Sequence, residues 1–181
     1  MDYNILLIGF MGTGKTTVSK ELSKEMQVPE VDMDACLVEK ANMSISDIFD
    51  KYGEEYFRDM ETECVKELQQ QGGKIISCGG GAVLREQNVE YMKENGVIVL
   101  LTAKPETILK RVKNSTERPI LNGNMNLEFI TRLMDRRKDR YREVADVIIE
   151  TDDKDIAQIS REIQKKVESF IVEKGKKDNN C

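Results

Sequence analysis

The sequence predicts an α/β fold, a parallel sheet of about five strands with helices on both faces, and three observations predict it. Apolar runs of strand length recur along the chain, among them Ile5-Leu6-Leu7-Ile8, Lys74-Ile75-Ile76-Ser77-Cys78 and Val97-Ile98-Val99-Leu100-Leu101. Segments with apolar residues at helical spacing alternate with them. The first run also turns through glycines into a helical pattern, the strand, loop and helix unit of parallel sheets. With 181 residues, 39% of them hydrophobic, the chain is expected to close one domain over residues 1–181.

The loop after the first strand, Gly9-Phe10-Met11-Gly12-Thr13-Gly14-Lys15-Thr16, fits the template G-x-x-x-x-G-K-[ST] in the setting that template requires. It reads as a P-loop. Its glycines let backbone N–H groups close on phosphate oxygens, and the helix that follows adds its positive end. Gly12, Thr13, Gly14, Lys15, Thr16 and Thr17 are therefore expected to bind a nucleoside triphosphate. Lys15 neutralises the β- and γ-phosphates in this reading, and the Thr16 hydroxyl ligates the Mg²⁺ that bridges them.

Val18, Leu22 and Met26 keep helical spacing up to the break at Pro29. Glu30-Val31-Asp32-Met33-Asp34 then alternates like a strand, which would put Asp32 and Asp34 on one face at the crevice end of the sheet. One carboxylate could hold the metal and the other face an alcohol acceptor; equally, Asp34 could be the N-cap of a helix starting at Ala35. Ser44-Ile45-Ser46-Asp47 has capping-box form and opens a long helical stretch. Its core candidates are Ile45, Ile48, Phe49, Tyr52, Tyr56, Phe57 and Met60, and Gly53 is a point where it can divide. Arg58 and Glu61, three apart, form either an ordinary surface ion pair or part of a site.

Gly72-Gly73 marks the end of that helix, and the strand at 74–78 runs into Gly79-Gly80-Gly81. Three glycines there allow a ligand to approach the backbone, or simply make a tight turn. A helix around Val89–Glu94, the strand at 97–101 and a helix opened by Pro105 follow. Between Lys113 and Asn126 periodicity is lost in a polar, turn-rich stretch suited to a lid. Leu127–Tyr141 reads as a helix whose basic run from Arg132 to Arg142 is either a solvated face or functional. Val147-Ile148-Ile149 is the last strand; Ile156, Ile159, Ile163, Val167 and Phe170 mark one face of a closing helix before a tail, 174–181, expected to fray.

Composition removes several classes of function. The chain has no histidine, which excludes Ser–His and Cys–His catalysis and leaves a carboxylate or the substrate itself as proton acceptor. Cys36, Cys64, Cys78 and Cys181 lack C-x-x-C spacing and read as reduced thiols. A net charge of −5 argues against nucleic acid as the main partner. No window reaches the length of a membrane span and the chain opens directly on a strand, so a soluble cytoplasmic protein is expected, without membrane partners.

In combination the motifs resemble the shikimate kinase family over nearly the whole chain. They are Gly9–Thr16, Asp32-x-Asp34, Ile48-Phe49 with Gly53-Glu54, Phe57-Arg58 and Glu61, Cys78-Gly79-Gly80-Gly81-Ala82-Val83, Arg118-Pro119-Ile120-Leu121, and Arg137, Tyr141 and Ala145-Asp146. The resemblance implies a P-loop fold like that of nucleoside monophosphate kinases, with strand order 2-3-1-4-5, an acceptor-binding segment at about 33–61 and a lid at about 113–126. It implies phosphorylation of the 3-hydroxyl of shikimate by ATP with Mg²⁺. Asp34 and Arg58 are implied to contact shikimate, Glu61 to orient the arginine, the backbone of Gly79, Gly80 and Gly81 to lie against the acceptor, and Arg137 to share its carboxylate with Arg58. Arg118 in the lid is implied to reach the transferring phosphates, and Arg111 to border the adenine.

Two departures stand out. Arg137-Lys138-Asp139-Arg140-Tyr141 replaces the more usual Arg-x-Pro-Leu-Tyr, so Arg136, Arg137 and Arg140 all compete for the acceptor, with the spacing to Tyr141 favouring Arg137. Ser77 stands near the strand-end Asp of the usual second P-loop motif, which makes Asp32 the expected carboxylate partner of Mg²⁺. Asp34 is the expected proton acceptor, with Lys15 and Arg118 stabilising charge on the moving phosphoryl group; a monomer is expected. The rivals are a kinase of gluconate or of a nucleoside monophosphate, and a GTPase-type switch. For the switch, Asp50-Lys51-Tyr52-Gly53 matches D-x-x-G but falls in a helical stretch, and no N-K-x-D string occurs.

Overall fold

The computed structural model describes residues 1–113 and 126–178. Five strands, β1 (Asn4–Ile8), β2 (Glu30–Asp32), β3 (Ile75–Ser77), β4 (Gly96–Thr102) and β5 (Val147–Glu150), form one parallel sheet in the order β2-β3-β1-β4-β5. The described helices are α1 (Lys15–Met26), α2 (Met33–Ala41), α3 (Ile45–Leu68), α4 (Glu86–Glu94), α5 (Pro105–Lys113), α6 (Leu127–Val144) and α7 (Ile156–Asp178), with a short 3-10 turn at Ala82–Leu84. Fold class and strand order agree with expectation. The lid expected at 113–126, with Arg118, and Cys181 lie outside the described residues, apart from the lid's two ends.

Every residue of β1 is buried, which a strand covered on both faces requires. Its side chains alternate between two cores. Leu6 and Ile8 join Ile76, Ile98 and Leu100 under Met33, Leu37, Ile48, Val89 and Ile130 of α2, α3, α4 and α6. Ile5 and Leu7 join Ile75, Val97 and Val99 under Val18 and Leu22 of α1 and Ile159 and Ile163 of α7. Burial of one such side chain contributes roughly 1.5–3 kcal/mol, so both faces are held by several independent contacts. The chain runs outward from β1 to β2, returns through β3 and crosses to β4, which opens a crevice at the carboxyl ends beside β1.

The strand expected at 30–34 stops at Asp32. The Asp32 Oδ1 accepts the Ala35 N–H at 3.2 Å and caps α2, so Asp34 already lies in the first helical turn. Both readings of Asp34, as strand end and as N-cap, are thereby corrected. Ser44 caps α3 as expected, taking the Asp47 N–H at 3.1 Å. Gly53, at φ 83° and ψ 171°, divides α3 in two. The second half then runs alongside α2 in the same direction: Asp34 and Glu61 meet at Gly79, and one helical stretch further on Lys40 pairs with Glu67.

Other expectations are also corrected. Tyr52 and Tyr56 flank the Gly53 break and stand 46% exposed, stacked on each other at 4.7 Å instead of filling the core. Helix α3 ends at Leu68, ahead of Gly72-Gly73. Ile156 opens α7 at the surface, and α7 continues to Asp178 across the first part of the tail expected to fray.

Candidate functional site

Strand β1 ends on Ile8, and the loop Gly9–Gly14 turns back over it into α1. Gly9 sits at φ 141°, and a methyl on it would collide with the Leu101 carbonyl of β4, so the loop can hug the sheet only with glycine there. Thr13 is buried and closes the loop on itself: its N–H and its Oγ1 both donate to the Phe10 carbonyl, at 3.3 and 2.8 Å. Gly14 caps α1 without a side-chain acceptor, so the first-turn amides of this 12-residue helix face the loop's hollow. Lys15 Nζ lies inside the loop, donating to the Gly9 and Phe10 carbonyls at 2.9 and 3.3 Å. Thr17 stands exposed beside it on α1.

The Asp32 that caps α2 also turns toward this loop. Its Oδ2 accepts the Thr16 hydroxyl at 3.1 Å. A hydroxyl and a carboxylate are thus side by side at the phosphate end of the loop, a hard-oxygen pair of the kind Mg²⁺ takes while keeping most of its waters. On the loop's outer side Arg111, from the last turn of α5, donates to the Gly12 and Thr13 carbonyls at 3.2 and 3.5 Å and to Thr151 Oγ1 and O at 3.0 and 3.1 Å. Thr151, fully buried at the end of β5, was not among the expected site residues. Its signal was faint, one polar residue among the several that follow the apolar run Val147-Ile148-Ile149.

The acceptor candidates gather on Gly79-Gly80-Gly81. A methyl built on Gly79 would stand 2.8 Å from Asp34 Oδ1 and 3.1 Å from Glu61 Oε1. On Gly80 it would stand 3.5 Å from Arg137 Nη1 and 3.9 Å from the Gly9 carbonyl. On Gly81 it would run into the Arg58 guanidinium. Asp34, Arg58, Glu61 and Arg137 therefore surround one hollow, and that hollow adjoins the P-loop. The three glycines make room for four charged side chains.

The charges in this hollow are tightly held. Arg58 pairs with Glu61 and, at 3.2 Å, with Glu54. Burial works against the Arg58 charge, but the two carboxylates outweigh it and hold its pKa above the usual guanidinium value. Glu61 is 1% exposed; burial pushes its carboxyl up, Asp34's negative charge adds to the rise, and Arg58 opposes it. Tyr141 donates its hydroxyl to the Gly80 carbonyl at 2.6 Å, beside the Arg137 Nη1 donation to the same oxygen at 3.3 Å. Burial raises the Tyr141 pKa despite the nearby Arg137, so the phenol keeps its proton. Burial likewise pushes the Cys78 thiol up, which makes it packing and not a nucleophile.

The three competing arginines of α6 separate by direction. Arg137 reaches Gly80, Arg136 is exposed, and Arg140 is engaged with Val83 and Glu86. Among the described residues no cluster of three or more His, Cys, Asp or Glu side chains gathers as a metal site, and no helix is long and apolar enough to cross a membrane.

Comparison with known proteins agrees with this geometry. A family model described as shikimate kinase matches residues 11–168. A shikimate kinase of Geobacter sulfurreducens is 42% identical over 160 residues, covering 88% of each chain. The structure of shikimate kinase from Acinetobacter baumannii in complex with shikimate superposes with a TM-score of 0.85 at 32% identity, over 93% of this chain and 94% of that one. That of shikimate kinase from Aquifex aeolicus gives 0.78 at 36% identity, over 91% and 96%. The chain belongs to the shikimate kinase family and is an ATP-dependent kinase that acts on shikimate.

Proposed function

We propose that the chain transfers the γ-phosphoryl group of ATP to the 3-hydroxyl of shikimate, with Asp34 as the group that orients that hydroxyl and accepts its proton. The observation that carries this reading is the convergence of Asp34, Arg58 and Arg137 on Gly79–Gly81, one residue contact away from Gly9. A small hydroxy-acid needs guanidinium forks for its carboxylate and a carboxylate for its hydroxyl, and these side chains are those groups. Arg58, locked by Glu61, and Arg137 hold the acceptor carboxylate. Gly79, Gly80 and Gly81 give it backbone to lie against.

On the nucleotide side, Gly12, Thr13, Gly14, Lys15, Thr16 and Thr17 cradle the phosphates, and Arg111 flanks the adenine. Arg118 joins Lys15 in neutralising the transferred group. Thr16 and Asp32 would hold Mg²⁺, which when bound supplies positive charge across the β- and γ-phosphates. The enzyme is proposed to work as a cytoplasmic monomer with ATP and shikimate as its partners and with neither nucleic acid nor membrane; light scattering in solution checks the monomer.

A coupled ADP-release assay with shikimate, gluconate and nucleoside monophosphates tests the acceptor directly. Turnover with shikimate alone is the expected result, and turnover with another acceptor in its place would overturn it. Two further variants follow from the clamp. Arg58→Ala and Arg137→Ala should each raise the KM for shikimate by about 10- to 100-fold, the loss of one charge-assisted hydrogen bond, with the KM for ATP nearly unchanged. Were only the ATP constant to move, neither arginine would belong to the acceptor. Gly81→Ala should do the same by a steric route, because the methyl needs the place of the Arg58 guanidinium while the backbone, at φ −99°, accepts alanine. Its melting temperature should fall by several degrees, because the buried Glu61 loses part of its partner, while the shikimate KM rises about tenfold.

A further inference from the structure

We propose that Arg140 is a positioning residue for the acceptor site, holding the glycine-rich loop against α6 so that Gly80 stays beneath Arg137. The inference rests on the reading of Gly79–Gly81 and Arg137 as acceptor contacts, and it assigns a role to a side chain outside that contact set.

Arg137, Arg140 and Tyr141 are spaced three and four apart and so share one face of α6. All three reach the same loop. Arg137 and Tyr141 both donate to the Gly80 carbonyl, at 3.3 and 2.6 Å. Arg140 reaches beyond them to the loop's far end, where its Nε donates to the Val83 carbonyl at 2.9 Å. Its two terminal nitrogens bind Glu86 in the first turn of α4 at 2.6 Å and Glu143 on its own helix at 3.0 Å. One planar fork thus ties three elements together. A lysine, a point charge on a flexible stem, could satisfy one of these partners but not all three.

The loop is held from its other side as well. Arg85, directly after the 3-10 turn, donates to Asp59 of α3 at 2.7 Å and pairs with Glu55. Within the loop, the Ala82 N–H donates to the Gly79 carbonyl at 3.1 Å and the Leu84 N–H to the Gly81 carbonyl at 3.0 Å, so a shift at Val83 passes back to the glycines. The segment is stretched between α3, which carries Arg58, and α6, which carries Arg137. Releasing the α6 end lets the two halves of the carboxylate clamp drift apart. The Arg137 bond to Gly80 is long at 3.3 Å, and Tyr141 ties the same carbonyl at 2.6 Å, so both α6 contacts fall on one oxygen and the far end of the loop, at Val83, is tied to α6 through Arg140.

The alternative is that Arg140 merely stabilises the fold. Its side chain is 21% exposed and both glutamates are 68% exposed, and ion pairs in that setting add little to stability. The effect should therefore fall on binding and not on melting.

The test is steady-state kinetics on the full chain for Arg140→Leu, Arg140→Lys, and Arg140→Leu combined with Arg137→Ala. Arg140→Leu should raise the KM for shikimate about 3- to 10-fold, leave the KM for ATP within about twofold, and melt within a few degrees of the parent. Arg140→Lys should recover part of the loss. Because Arg140 acts through Arg137, adding Arg140→Leu to Arg137→Ala should raise the shikimate KM by much less than it does in the parent. An unchanged shikimate KM, a fall in kcat that only tracks the folded fraction, or full additivity in the double variant would each overturn the proposal. A parent protein with no shikimate-dependent ADP release would overturn the acceptor reading first, and this inference with it.

Discussion

Asp34→Asn should fold as the parent does and lose on the order of 10²–10⁴ in kcat, the range expected for removal of a general base. Asparagine matches aspartate in shape, so the packing beside Gly79 is kept, where Asp34 Oδ1 would lie 2.8 Å from any added methyl. What disappears is the negative charge and the basic oxygen. Removing that charge also relieves the like-charge repulsion that helps push the buried Glu61 carboxyl up. Thermal melting and shikimate binding should therefore stay near the parent's while turnover collapses. Phosphoryl transfer depends heavily on positioning, so the rival account gives Asp34 only an orienting role. An asparagine can still accept a hydrogen bond from the hydroxyl, and a kcat within about threefold of the parent would support that account and remove Asp34 as base.

The parts of this protein that could be read from sequence are those where one local rule speaks without competition. β1 is apolar from Ile5 to Ile8, so the burial of that run followed directly, and the glycines before Lys15 have few other uses in that setting. Where two rules compete, the residue string could not arbitrate. Asp32 and Asp34 alternate like a strand, yet capping of the Ala35 amide by Asp32 wins because it satisfies a helix N–H that would otherwise lack a partner. Tyr52 and Tyr56 continue the periodicity of α3 on paper, but the phase of a helix is broken at a residue with φ 83°, and both rings leave the core. The pairing of Arg58 with Glu61, taken alone, reads better as a surface bridge than as part of a site. Only the approach of Gly79–Gly81 to that helix distinguishes the two, and it depends on strand order and on the turn at Gly53, neither of which is a local property. Arg111 shows the same limit. Nothing near it in sequence indicates that it grips the carbonyls of a loop a hundred positions earlier.

Lys15→Ala should lower kcat/KM by about 10³-fold or more, which corresponds to about 4 kcal/mol of lost transition-state stabilisation. The argument turns on what the ammonium does in the loop and on what survives without it. It donates to the Gly9 and Phe10 carbonyls, at 2.9 and 3.3 Å. The Phe10 carbonyl keeps both donations from Thr13, and the Gly12 carbonyl keeps Arg111, so the loop has enough internal ties to hold its shape. The variant should therefore melt close to the parent, and its loss should be electrostatic: a positive charge withdrawn from the place where the β- and γ-phosphates gather negative charge. Calorimetric titration with ATP should then show weakened binding, and the coupled assay a turnover that raising the ATP concentration does not restore. If saturating ATP returned the rate to within tenfold of the parent, Lys15 would contribute to nucleotide binding alone, and the stabilisation of the moving phosphoryl group would have to come from the other cations of the site.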